Sequence, residues 1–151
     1  MSATRHNAER RTTPRGFTLT ELMVVFAIIG AMAAMSVPSF QRAIEQSRCD
    51  IAAANLRTIW AAERLYWLEY QTYTSDLTIL QSLKLLDPTI NSTDAGGYNY
   101  SATVVSSSSV TAAATRSGSS QWSGSLSISG DGEISGVLSA PGNISIMPGY
   151  Q

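Results

Sequence analysis

From Leu22 to Phe40 the chain carries no formal charge, and a single carboxylate, Glu21, stands at the entrance to that run. At ~1.5 Å per helical residue the run covers roughly the ~30 Å hydrocarbon core of a bilayer. It is therefore predicted to be a membrane-crossing helix. The first 16 residues hold Arg5, Arg10, Arg11 and Arg15 against Glu9, a net +3, and with −1 for the whole chain the remainder carries −4. By the positive-inside rule the leader stays cytoplasmic and everything after Phe40 is exported. An ionised group at the lip of an apolar helix is costly, so Glu21 calls for a counter-charge. A cut after Gly16 would create a cationic amine on Phe17 about one helical turn from Glu21, where the helix dipole also favours an acid. Between copies, the amine of one chain beside Glu21 of the next would neutralise two charges that lipid solvates badly and would set an axial register. The simpler reading of Glu21, from charge and hydrophobicity alone, is a capping carboxylate on an ordinary signal anchor.

The string Arg15-Gly16-Phe17-Thr18-Leu19-Thr20-Glu21, with Gly30 and Pro38 inside the apolar helix, resembles the type IV pilin and type II secretion pseudopilin superfamily over about Arg15 to Ala54. The resemblance implies a prepilin: prepilin peptidase cuts between Gly16 and Phe17 and N-methylates Phe17, and Glu21 serves assembly and register. It also implies partners, namely copies of the same chain, an inner-membrane platform protein and a cytoplasmic assembly ATPase. The implied location is the inner membrane, single-pass with the head periplasmic, and then a pilus or a periplasmic pseudopilus. A pilus subunit is favoured over a secretion pseudopilin. The competing class is a signal-anchored periplasmic binding domain that never polymerises.

Composition narrows the chemistry. The only histidine is His6, inside the leader, and the only cysteine is Cys49. A chain trimmed at Gly16 then lacks the groups for a Ser-His-Asp triad, a Cys-His pair or a histidine-rich zinc site, so no enzyme is expected. One cysteine also forbids an internal disulfide, unlike the many pilins that close a C-terminal loop with one. Cys49 is expected to be a buried space-filler. Glu63 and Glu69, six residues apart and off a common helical face, are read as solvated charges. No cofactor is expected, although Asp131 and Glu133 in a glycine turn are candidates for calcium, which some major pseudopilins bind in this part of the head. An ordinary hairpin is the simpler reading. The sequons Asn91-Ser92-Thr93 and Asn143-Ile144-Ser145 permit glycosylation. A mature chain at −4 with scattered arginines argues against nucleic acid as a partner.

The predicted fold class is α+β, a long N-terminal helix laid on a small antiparallel β head. Residues 1–16 are a cleaved leader, 17–40 the membrane or filament-core helix and 41–73 its amphipathic continuation. Residues 74–97 form a short helix and connection, and 98–151 the β head. Ala52, Leu56, Ile59, Tyr66 and Tyr70 recur at steps of three and four along the continuation. Pro38 lacks a backbone donor, so a bend or loosened turn is expected over Ala34 to Pro38. Thr74 or Ser75 is expected to cap a helix from Asp76 to Lys84 whose Leu77, Leu80 and Leu83 cover the long helix. Three or four strands follow, from the period-2 alternations at 98–105 and 110–115 and a hairpin around Gly130-Asp131-Gly132, with serine-rich turns at 106–109 and 117–120. Trp60, Tyr66, Trp67, Tyr70 and Tyr73 are expected to fill the helix–sheet interface, with Arg64 over Trp60.

Overall fold

The computed structural model describes residues 16–90 and 96–149; the basic leader and the sequon at Asn91 lie outside them. α1 spans Leu19–Tyr70, α2 spans Leu77–Ser82, and five strands follow: β1 Tyr98–Ser106, β2 Ser109–Arg116, β3 Ser123–Ile128, β4 Ile134–Ala140 and β5 Ile144–Ile146. The strands form one antiparallel sheet in the order β1-β2-β3-β4-β5. The chain divides into two compact units at Ser39 and Phe40.

The first unit holds the start of α1. Its helix runs without interruption through Pro38, where a loosened turn was expected. Ser36 Oγ donates to Met32 O at 3.2 Å and Ser39 Oγ to Ser36 O at 2.8 Å, so serine hydroxyls supply extra bonds to carbonyls in the stretch where proline removes an N–H.

The second unit is a helix–sheet sandwich. Cys49, Ala52, Ala53, Leu56, Ile59 and Ala62 form the buried face of α1. Opposite them the even-numbered residues of the strands point inward, including Tyr98, Tyr100, Val110, Leu126, Ile128 and Leu138. Small residues on both sides, Ala52 and Ala53 on the helix and Ala102, Ala112 and Ala114 on the sheet, let the two layers approach closely. Gly136 faces Leu126 across the β3–β4 ladder with φ +120, and a Cβ there would lie 2.3 Å from Ser125 O. Only glycine fits that contact.

The β part exceeds the expectation by one strand, because β5 has only three residues and follows a turn in which Asn143 takes φ 59. β5 also answers how the C-terminal region is fastened without a disulfide. It pairs with β4 and buries Ile146, while Gln46 Nε2 donates to Met147 O at 2.8 Å and Gly149 N to Asp50 Oδ1 at 2.8 Å. Two polar side chains of α1 thus hold the end of the chain.

Around α2 the local chemistry differs from the expectation. Asp76, and neither Thr74 nor Ser75, is the N-cap, accepting from Thr78 N at 2.9 Å. The same carboxylate accepts from Thr78 Oγ1, and these two bonds hold Asp76 below the usual carboxylate range. The helix ends at Ser82, with Lys84 in the left-handed region at φ 59, and Leu83 is exposed where cover for α1 was expected.

Candidate assembly surface

In the first unit the sequence pattern Thr18-Leu19-Thr20-Glu21 closes into a reciprocal cap. Glu21 N donates to Thr18 Oγ1 at 3.2 Å, while Thr18 N and Thr18 Oγ1 both donate to Glu21 Oε2 at 2.8 Å. This is the capping box that a threonine followed three residues later by glutamate permits, and it satisfies donors that the first helical turn leaves open. The sequence reading set a capping carboxylate against a pairing carboxylate; the structure puts Glu21 in the cap while leaving its side chain at the exposed start of the helix. The signal was present in the spacing of Thr18 and Glu21. Gly16 and Phe17 precede the helix in non-regular backbone, and Phe17 is 78% exposed. Both residues of that bond are exposed.

Beyond the cap the first unit's stretch of the helix carries no charge on any face. Met23, Phe26, Ile29, Met32 and Met35 all stand exposed. A helix with no polar face is stable in lipid or among other helices, not in water. α1 is the one helix among the described residues long and apolar enough to cross a membrane.

In the second unit the polar residues serve the fold. The Arg116 side chain on β2 is 4% exposed and reaches back to α1, donating from Nε to Glu45 Oε1 at 2.5 Å and from Nη2 to Oε2 at 3.3 Å. Its Nη1 donates to Gly97 O at 2.6 Å and to Ser117 O, and its guanidinium lies over Tyr98 at 5.5 Å. Arg48 adds a second contact to Glu45 at 3.4 Å. Sequence reasoning missed this pair, since 71 residues separate its members.

Glu63 corrects the expectation of a solvated charge: it is fully buried, and its Oε2 accepts from Thr74 N at 3.1 Å. Burial pushes its carboxyl above the ordinary value, with the Thr74 bond pulling the other way. The chain folds back after Gln71, which takes φ 55, and that reversal covers the helical position from which Glu63 would otherwise meet water. Cys49 is buried as expected, and burial first, then Asp50 and Glu45, pushes its thiol up to about 11.

The aromatic patch behaves largely as read. Trp60 Nε1 donates to Gly130 O at 3.3 Å and Trp67 Nε1 to Ser107 O at 3.2 Å, so two tryptophans latch α1 to two hairpin turns. Arg64 lies 4.9 Å from the Trp60 ring centroid. Tyr70 departs from the expectation; it stacks on Tyr66 at 4.5 Å but is 46% exposed. Asp131 is engaged in its own turn, accepting from Ser129 Oγ and from Glu133 N, which holds it below the usual carboxylate range. Among the described residues no three histidine, cysteine, aspartate or glutamate side chains are placed to hold a metal ion together.

An apolar helix with a capped start, followed by a small α+β unit, is the architecture of a structural subunit, and the comparisons with known proteins agree. The prokaryotic N-terminal methylation motif matches residues 11–37. The chain is 40% identical over 60 residues to the type IV major pilin protein PilA of Myxococcus xanthus, covering 40% of this chain and 27% of that protein. It is 35% identical over 74 residues to the type II secretion system core protein G of Pseudomonas aeruginosa, covering 49% of this chain and 52% of the relative. To the type IV wide pilus major component PilA4 of Thermus thermophilus it is 31% identical over 108 residues, covering 72% of this chain and 78% of the relative. The first two matches thus span about a quarter and about half of those relatives' lengths. The chain belongs to the type IV pilin and type II secretion pseudopilin superfamily.

Proposed function

We propose that this protein is the subunit of a type IV pilus-like filament, inserted in the inner membrane by α1, cut between Gly16 and Phe17 by prepilin peptidase and N-methylated at Phe17. The observation that carries the reading is the exposed Gly16-Phe17 junction directly before a capped helix whose large apolar side chains, among the described residues, stand exposed. Water does not tolerate such a surface, and lipid followed by a bundle of like helices does. A pilus is favoured over a secretion pseudopilus because the match to a pilus component extends over 72% of the chain, against 49% and 56% for two type II secretion core proteins. Copies of the same chain, a platform protein and a cytoplasmic ATPase are the partners this reading requires. The leader is then cytoplasmic and the head is exported.

Glu21 takes two roles in succession. In the single chain it closes the cap on Thr18; in the filament the cationic amine of a neighbouring Phe17 meets the same carboxylate in a medium that solvates neither charge well. Glu21→Gln separates them, since glutamine keeps the capping-box acceptor and loses the charge. Mass spectrometry of the mature N-terminus is expected to find methyl-Phe17 in the wild type and in Glu21→Gln. Gly16→Ala is expected to block or strongly slow the cut. Electron microscopy is expected to find few filaments from Glu21→Gln. An uncut leader in the wild type sinks the filament reading, and normal Glu21→Gln filaments reduce Glu21 to a cap.

A further inference from the structure

We propose that a hollow at the start of the head takes the anionic headgroup of a glycerophospholipid and docks the head on the membrane surface before the chain is extracted. The proposal rests on the reading of α1 as a membrane anchor and adds a lipid site to it. The hollow has a volume of about 360 Å³ and lies between the stretch Gln41 to Arg48 of α1 and the loop 117–122 that joins β2 to β3. That volume falls at the lower end of the ~300–1,000 Å³ of small-molecule sites. Gln41 follows the uncharged run directly, and seven further residues carry the helix only about 10 Å to Arg48. With the run in the bilayer, these residues emerge through the headgroup layer, which is ~5–8 Å deep on each side. Arginine reaches back toward that layer on its own stem.

The lining carries one positive charge in excess. Glu45 is its only acid, against Arg48 and Arg116. Arg116 already clamps Glu45 with two bonds, at 2.5 and 3.3 Å, and both side chains are only 4% exposed. Arg48 adds a single 3.4 Å contact from Nη1 and leaves 49% of its side chain exposed. Its other nitrogens have no partner among the described residues, and a guanidinium so placed can donate to two oxygens of a phosphodiester. The polar groups around it also donate. Ser119 Oγ accepts from Gln121 N at 3.3 Å and from Trp122 N at 2.9 Å, which shapes the loop and leaves the serine's own hydrogen to give. Trp122 packs on the core and also lines the hollow, as an indole does where apolar and aqueous media meet.

The charge also selects among lipids. A zwitterionic headgroup brings an ammonium, whereas the one carboxylate here is buried and already held by Arg116. No free acid on the lining receives that ammonium, so it would meet the surplus charge of Arg48 instead. A headgroup with a phosphodiester and no cation, such as that of phosphatidylglycerol, answers Arg48 with its charge and the serine and glutamine groups with its glycerol hydroxyls. Extraction of the apolar run from the bilayer breaks this contact, so the site belongs to the membrane-resident chain.

Native mass spectrometry of the full-length protein, released from detergent holding equal amounts of phosphatidylglycerol and phosphatidylcholine, tests the site. Wild type is expected to retain phosphatidylglycerol preferentially. Arg48→Gln removes the surplus charge from an exposed position and is expected to weaken that retention about tenfold, the worth of a charged hydrogen bond. Arg42→Gln removes an equal charge from an exposed position of the same helix that does not line the hollow, and is expected to retain the lipid as wild type does. Ser120→Phe fills the hollow from the exposed loop without altering charge and is expected to match Arg48→Gln. All three are expected to keep the wild-type guanidinium midpoint, which separates lost retention from unfolding. Equal retention of the two lipids by wild type, or equal losses from Arg42→Gln and Arg48→Gln, overturns the site while the anchor reading stands. Retention of glycerol phosphate or glucuronate, with none of phosphatidylglycerol, overturns the lipid as occupant and makes the hollow a site for a soluble anion. Failure of the wild-type chain to enter vesicles of either lipid removes the anchor reading itself.

Discussion

Replacing Arg116 by methionine keeps the length of the side chain and removes its charge and its donors. Glu45, 4% exposed at its side chain, is then left with Arg48 at 3.4 Å, and Arg48 is itself half exposed. Breaking a buried ion pair from one side costs about 3–5 kcal/mol, because the remaining charge keeps its desolvation penalty without its partner. Gly97 O and Ser117 O lose a donor as well, at about 1 kcal/mol each where water does not replace it. The partial compensation by Arg48 offsets some of this, so we expect a net loss of about 3–5 kcal/mol, a large part of the ~5–15 kcal/mol that holds a domain of ordinary stability. The assay is guanidinium unfolding of the detergent-solubilised full-length protein, followed by the fluorescence of Trp60, Trp67 and Trp122, all in the head. The double variant Glu45→Met/Arg116→Met is expected to be more stable than Arg116→Met alone, since no buried charge is left without its partner, while Gly97 O and Ser117 O still lose the Arg116 donor. A loss below about 1 kcal/mol for the single variant, or a double variant no more stable than the single one, refutes the reasoning.

Two further predictions concern buried groups. Burial raises the Glu63 carboxyl above its ordinary 4.5, so the folded chain holds that proton to higher pH than the unfolded chain does. The group's contribution is complete below the unfolded value and is lost as the pH rises through the folded one. Glu63→Gln is therefore expected to gain stability relative to wild type between pH 4.5 and pH 8, read as guanidinium midpoints; a difference that stays constant with pH contradicts this. With its thiol pushed up to about 11 and no exposure, Cys49 is expected to resist a thiol reagent at pH 8 and to react stoichiometrically once the head is unfolded. Rapid labelling of the folded protein would mean that the helix–sheet interface opens.

What the sequence determined by itself was local. An uncharged run, the string from Arg15 to Glu21, the alternation in the strands and the glycine turn around Asp131 each report on a few neighbouring residues whose pattern has one inexpensive solution. The cap formed by Thr18 and Glu21 was equally local and only wanted reading at a spacing of three. The fate of Glu63 was not local. Its burial follows from the chain reversing at Gln71 and laying Thr74 over the helix, and nothing in the residues beside Glu63 announces that cover. Arg116 and Glu45 likewise meet only because the sheet folds onto α1. Gln46 and Asp50 hold the segment just after β5 by bonds that span 101 and 99 positions of sequence. Periodicity assigns a residue to a face; which groups lie opposite, and whether a charge there is paired or stranded, is settled only when distant segments exclude water from the same few cubic ångströms.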